Sequence, residues 1–336
     1  MRVRTLALLV GLVSALLAAV ASRAPAQTAD VGLSLVAYST PREAYAKLIP
    51  MFQKTPAGQG VSFTQSYGAS GDQARAVAAG LKADVVALSL APDMDTLVDA
   101  GIVDPRWKRQ SSKGIVTDSV VVFVVRDGNP KRIKRWDDLL RPGVSVITPN
   151  PFTSGGARWN VMAAYGAWLK LGKTRAQAQE NLLRLFRNVS VQDKSARDAL
   201  NTFLSGKGDV LLTYENEAIA AQLANQPVQY VIPRQTILIE NPIAVTKTSE
   251  HRDAANAFLR FLRTPAAQQV FADYGYRPVV ASVLEANRRK FPARPGLFTI
   301  DQLGLGGWRK VQRDFFDPDK GVMATIERKV GGVSAG

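Results

Sequence analysis

Ser154, Gly155 and Gly156 have the types and spacing to hold an anion. They lie in Pro151-Phe152-Thr153-Ser154-Gly155-Gly156-Ala157-Arg158-Trp159-Asn160. An apolar, β-like run (144–148) comes before them, and a run with helical spacing (159–169) follows. Strand, glycine turn and helix start therefore succeed one another. The first turn of a helix carries backbone N–H groups without partners, and the helix dipole adds partial positive charge there. Two glycines let a ligand approach those groups with no Cβ in the way. Ser154 adds a hydroxyl, and the sum is an anion seat built of neutral donors. A plain helix cap in a tight turn fits the same residues. Three further strand-to-helix turns favour the anion seat: Ser39 before Thr40-Pro41, Ser70 before Gly71, and Ser195 with Ala196. In open α/β sheets ligands sit at the carboxyl ends of strands, where four such turns can converge.

Other chemistries find little support. There is no cysteine, and His251 is the only histidine. Thiolate nucleophiles and cysteine metal sites are excluded, and a serine hydrolase would have to use His251. Ser70, in Gly68-Ala69-Ser70-Gly71, lacks the G-x-S-x-G elbow. The run from Gly166 to Thr174 is close to a P-loop. It has five residues between its glycines where four are required, and it ends a helix, so Gly172 reads as a helix C-cap. Trp159 and Trp168 read as core residues and Ser66 as a turn residue. No catalysis, cofactor or metal is expected of these residues.

The elements that must position these turns alternate along the chain. Strands are expected at 31–37, 61–65, 83–90, 115–125, 144–148, 189–191, 209–214, 228–232 and 237–245. Helices are expected at 44–52, 73–79, 93–100, 136–140, 159–169, 173–186, 196–204, from 215, and at 254–262, 265–271 and 310–315. Pro41 suits a first helical position, with Ser39 or Thr40 as its cap. This order defines an α/β protein. With 336 residues, 46% of them hydrophobic, the chain lies between one large domain and two ordinary ones. No long flexible linker interrupts it, so two lobes would be joined by strands that cross between them.

Arg2 and Arg4 precede an apolar stretch (6–20), and Ala24-Pro25-Ala26 offers a small-residue cleavage site. Residues 1–26 therefore read as a secretory signal peptide, and the mature chain as a periplasmic protein. The apolar run is short for an uncleaved anchor. The formal net charge is +15, and loss of Arg2, Arg4 and Arg23 leaves +12. The basic residues are scattered and not interleaved with stacking aromatics. A basic surface that steers small anions is expected, not a nucleic-acid interface.

The runs Val144 to Pro151 and Thr153 to Asn160 resemble the periplasmic sulfate-binding proteins of ABC importers, the sulfate/thiosulfate group. So do Gly128-Asn129-Pro130, Ala83-Asp84-Val85-Val86, Gly208-Asp209-Val210-Leu211, Glu215-Asn216-Glu217-Ala218 and Tyr276-Arg277-Pro278. The resemblance covers about 33–316. It implies a two-lobed periplasmic binding protein of type II, each lobe a mixed sheet flanked by helices, with the ligand in the interlobe cleft. The lobes are expected at 31–114 plus 243–295 and at 115–242, with a C-terminal tail, 296–336, packed on them. It further implies a monomer that delivers sulfate or thiosulfate to an inner-membrane ABC permease. The ligand residues it implies are Ser39, the Ser70 hydroxyl, Ser154, Gly155, Gly156, Ala196 and Tyr214, with Arg197 behind the site for charge balance. Two positions depart from the family pattern: Ser39 replaces an aspartate that offers its backbone N–H, and Tyr214 replaces a tryptophan. A phenol oxygen can accept as well as donate, unlike an indole, which leaves thiosulfate and related oxyanions open beside sulfate. Sulfate has acceptors only, so a dry, donor-lined site leaves the O–H of phosphate unpaired, at about 1–3 kcal/mol. Molybdate and phosphate are the rival ligands in this fold.

Overall fold

The structure, a computed structural model, describes residues 31–332. The signal peptide assigned to residues 1–26 lies outside the described residues. The first third of the chain forms β1 (Val31–Tyr38), α1 (Arg42–Gln53), β2 (Val61–Gly68), α2 (Ser70–Ala78), β3 (Val85–Ala87) and α3 (Ala91–Asp99). The middle forms β4 (Ile115–Arg126), β5 (Val146–Pro149), α4 (Gly155–Lys170), α5 (Arg175–Arg187), β6 (Val189–Asp193), α6 (Ala196–Leu204), β7 (Val210–Tyr214), α7 (Glu215–Leu223), β8 (Val228–Val231) and β9 (Thr236–Val245). The last part forms α8 (Arg252–Leu262), α9 (Pro265–Asp273), β10 (Arg277–Pro278), α10 (Ala281–Ala286), β11 (Leu297–Phe298), α11 (Gly307–Phe316) and α12 (Val322–Val330).

The strand order is β2-β1-β3-β9-β4-β7-β5-β6. At one end β1 is parallel to β2 and β3; at the other β5 is parallel to β6 and β7. The two long strands belong to both ends. In β4, Ile115 to Val120 pair with β9, whereas Val121 to Arg126 pair with β7 and β8. In β9, Leu238 to Pro242 pair with β4, and Ile243 to Val245 pair with β3. All these contacts of β4 and β9 are antiparallel. Two mixed sheets with flanking helices thus share a two-strand connection, the two-lobed type II arrangement. Val121, Phe123 and Val125 of β4 join one apolar cluster, while Val120, Val122 and Val124 join another. A strand covered on both faces reads as a continuous apolar run, which is how β4 reads.

Helix ends follow local chemistry. Thr174 and Gln177 form a capping box at the start of α5, and Gly172 takes φ +81 just after α4. The start of α1 differs from expectation. Pro41 occupies the cap position, and neither Ser39 nor Thr40 caps the helix. The Thr40 hydroxyl instead pairs with Tyr276 Oη at 2.9 Å. Proline has no side-chain oxygen to accept from the first helical N–H groups, so α1 starts without a side-chain cap. At the far end of the chain, α11 packs on α3 and α12 on α5. Trp308 of α11 meets Trp159 of α4 edge-on at 4.6 Å, and Phe315 meets Tyr165 at 4.8 Å. The tail helix therefore touches elements of both ends of the sheet.

The connecting strands carry charge. Asp118 of β4 stands opposite Glu240 of β9 and opposite Arg277 of β10. Burial, helped by the Glu240 charge and opposed by Arg277, pushes the Asp118 carboxyl up to about 8. An unfolded aspartate titrates near ~4. Between those values the folded state holds the proton more tightly, so stability falls as pH rises from about 4 to about 8. Asp118→Asn should flatten that slope and raise the melting temperature at pH 8 relative to the unmutated chain. Thermal unfolding at pH 5 and pH 8 reads the effect, and an unchanged slope would show that Asp118 is ionised throughout.

Candidate anion-binding site

The loop from β5 to α4 is fixed before it reaches the glycines. Asn150 Oδ1 accepts from Phe152 N at 2.8 Å, and the Asn150 carbonyl accepts from Ser154 N at 2.9 Å. Ser154 caps α4, its Oγ accepting from Ala157 N at 3.4 Å, so its own proton stays free to donate. The same loop is tied to the start of α6. Asn150 N donates to Asp193 O at 2.8 Å, and Thr153 Oγ1 donates to Lys194 O at 2.7 Å. It is also tied to α2, where Gly71 N donates to Thr153 O at 3.0 Å.

Gly155 and Gly156 are required by close approach. A Cβ on Gly155 would lie 2.5 Å from Ser89 Oγ, and one on Gly156 would lie 2.8 Å from Tyr214 Cε2. The starts of α2, α4 and α6 and the bend after β1 are thus brought together. Tyr38, just before Ser39, has its ring 6.2 Å from that of Tyr214. Among the described residues, no protein acceptor lies within hydrogen-bond reach of the N–H groups of Ser39, Ser70, Gly155, Gly156 or Ala196.

Three residues that the sequence reading did not single out join the ends of the sheet here. Arg158 Nη1 meets Asp93 Oδ1 at 2.8 Å, with both side chains buried, and Arg158 Nε donates to Pro151 O at 3.0 Å. Ser89 sits in the turn between β3 and α3. Its signal was legible: Leu88-Ser89-Leu90-Ala91-Pro92 is a fifth strand-to-helix turn, with proline in the first helical turn. These partners revise the expected role of Ser70. Its hydroxyl donates to Asp93 Oδ2 at 2.6 Å and accepts from Ser89 N at 2.9 Å. The proton expected for an anion goes to the carboxylate, and the main-chain N–H of Ser70 remains available.

Tyr214 ends β7, only 1% exposed, with its Oη 2.6 Å from Ser89 Oγ. Burial pushes its phenol well above the ordinary value, so it stays protonated and able to donate. Arg197 is fully engaged. It binds Glu217 through Nε and Nη2, each at 2.8 Å, and Glu43 through Nη1 at 2.5 Å and Nη2 at 3.0 Å. Nη2 also reaches Thr40 O at 3.2 Å. One cation stands between two carboxylates, so Arg197 has no surplus charge to balance an anion. It clamps the starts of α1, α6 and α7 together. Burial raises the Glu217 carboxyl, and Arg197 opposes that rise.

Paired strand-to-helix turns facing each other across two sheets define a two-lobed solute-binding protein. A family profile described as bacterial extracellular solute-binding protein matches residues 33–277. A sulfate-binding protein of Synechococcus elongatus is 44% identical over 90% of this chain and 88% of its own length. A thiosulfate-binding protein of Pseudomonas aeruginosa is 36% identical over 84% of this chain and 88% of its own. The solved structure of the sulfate-binding protein SubI from Mycobacterium tuberculosis H37Rv aligns with TM-score 0.82 and 46% identity, covering 85% of this chain and 100% of that one. The chain belongs to the bacterial extracellular solute-binding proteins, in the family that contains these sulfate-binding relatives.

Arg197→Ala should destabilise the fold by about 3–5 kcal/mol, because it leaves Glu217, which is 0% exposed, without its cation. Adding Glu217→Gln should recover most of that loss in chemical denaturation. In the folded single variant, anion binding should weaken without vanishing; complete loss would make Arg197 a direct ligand. Gly155→Ala should lower anion affinity at least ~10-fold, about 1.4 kcal/mol, because its methyl meets Ser89 and Leu90. Calorimetry at fixed salt measures it, and undiminished affinity would remove Gly155 from the site.

Proposed function

We propose that this chain captures sulfate, or thiosulfate, between its lobes and delivers it to an inner-membrane ABC permease. The observation that carries this reading is the convergence of the N–H groups of Ser39, Ser70, Gly155, Gly156 and Ala196, which have no acceptor among the described residues. The hydroxyls of Ser154 and Tyr214 complete the donor set. The nearby charged side chains Asp93, Arg158 and Arg197 are bound to one another or to Glu43 and Glu217, so the field at the site comes from oriented dipoles. Such a site suits a dianion that carries acceptors only. The sulfate- and thiosulfate-binding names of its relatives support the same ligand class. In this reading one lobe is 31–114 with 243–295, the other is 115–242, and residues after 295 brace them. The protein works in the periplasm as a monomer, and no catalysis is assigned to it.

Titration of the purified, anion-free chain with sulfate, thiosulfate, molybdate and phosphate tests the reading. Sulfate or thiosulfate should bind most tightly, and preference for molybdate or phosphate would overturn it. Tyr214→Phe keeps the ring and removes one charge-assisted donor, worth roughly 1.5–3 kcal/mol, so sulfate affinity should fall about tenfold or more. An unchanged constant would show that the phenol only packs there.

A further inference from the structure

Ser89 and Tyr214 form a hydroxyl pair that the donor set above does not explain. The two oxygens are 2.6 Å apart, and the side chains are 0% and 1% exposed. Ser89 follows β3 and Tyr214 ends β7, so the bond spans the two halves of the molecule. The remaining groups of Ser89 are occupied. Its N–H donates to Ser70 Oγ, and its carbonyl accepts from Trp159 Nε1 and from Asn241 Nδ2, each at 2.9 Å. Among the described residues, neither hydroxyl has a second hydrogen-bond partner.

Two hydroxyls hold two protons, and their shared bond uses one. The other O–H must point away from the pair. If Ser89 donates to Tyr214, the phenol donates outward and Ser89 Oγ keeps free lone pairs. If Tyr214 donates to Ser89, the roles exchange. Either way the pair offers one donor and one acceptor side by side. Both oxygens lie against the start of α4: a Cβ on Gly155 would be 2.5 Å from Ser89 Oγ, and one on Gly156 would be 3.2 Å from Tyr214 Oη. Adjacent oxygens of a singly protonated tetrahedral anion, one bearing O–H and one bare, match that donor and acceptor. A wholly donor-lined site would leave the anion's proton unpaired.

We propose that Ser89, acting with Tyr214, is a specificity-determining residue that admits singly protonated tetrahedral oxyanions beside the fully ionised one. This rests on the sulfate-type reading of the site. The pair supplies the one acceptor that the surrounding amides withhold, and the proton arrangement reverses to suit the anion bound.

Calorimetry on the full processed chain at pH 8 and fixed salt, with sulfate and with inorganic phosphate as probes, tests it. The unmutated chain should bind sulfate and, more weakly but measurably, phosphate. Ser89→Ala and Ser89→Gly both delete the pair. In each, the sulfate-to-phosphate affinity ratio should rise about tenfold, the range expected when a buried polar group loses its partner. Melting curves with and without sulfate report whether each variant keeps its fold. Equal loss for both anions, or an unchanged ratio, would make the pair a structural tie and overturn the proposal. So would undetectable phosphate binding by the unmutated chain. Absence of sulfate binding by that chain would instead remove the underlying reading, and this proposal with it.

Discussion

A backbone N–H removed from water needs an acceptor, and leaving it without one costs about 1–3 kcal/mol. That constraint governs the centre of this molecule. The starts of α2, α4 and α6 and the bend after β1 are turned toward one another instead of toward solvent. Among the described residues, the N–H groups of Ser39, Ser70, Gly155, Gly156 and Ala196 find no acceptor. Helix starts are ordinarily satisfied by side-chain caps, and here the caps serve deeper amides: Ser154 serves Ala157, and Ser195 serves Asp198. The outermost donors are left for a ligand. Glycine at 155 and 156 follows from the same constraint, since any Cβ there would meet Ser89 or Tyr214.

The arrangement of charge follows from it as well. A cation beside the seat would bind any anion, and a free carboxylate would repel it. Both kinds of residue are present but mutually satisfied. Arg158 faces Asp93, and Arg197 faces Glu43 and Glu217. Arg277 likewise binds buried Glu215 through Nε at 2.7 Å and Nη2 at 3.1 Å. Arg158 with Asp93 and Arg197 with Glu43 cross between elements of the two sheets, so they tie the halves together without leaving a free cation at the site. Ion pairs so buried gain little stability over apolar packing, but removing one partner is costly.

β4 and β9 connect the two halves by belonging to both, with their central residues paired to each other and to the short β10. Each half keeps its own apolar cluster, one around Val86, Leu97 and Trp107 and another around Ile147, Phe203 and Leu211. Contact of α11 with α3 on one side and with Trp159 and Tyr165 of α4 on the other braces the back of this connection.

The alternation of strands and helices, the helix start at Gly155-Gly156 and the C-cap at Gly172 were legible in the sequence, because periodicity and glycine placement are local signals. So was the set of turns that could donate to an anion, since each is a strand end, a small residue and a helix start in order. What the sequence could not decide was which polar group meets which. Ser70 lies in the expected turn, yet its hydroxyl goes to Asp93, 23 positions away. Thr40 reaches Tyr276 instead of capping α1, and Arg197 meets Glu43 across 154 positions. The fifth turn, at Ser89, could be read from the sequence, but its bond to Tyr214 could not. A hydroxyl or guanidinium carries no directional preference along the chain. Its partner is fixed only when packing removes water and leaves one acceptor within reach, and that is decided by the tertiary structure.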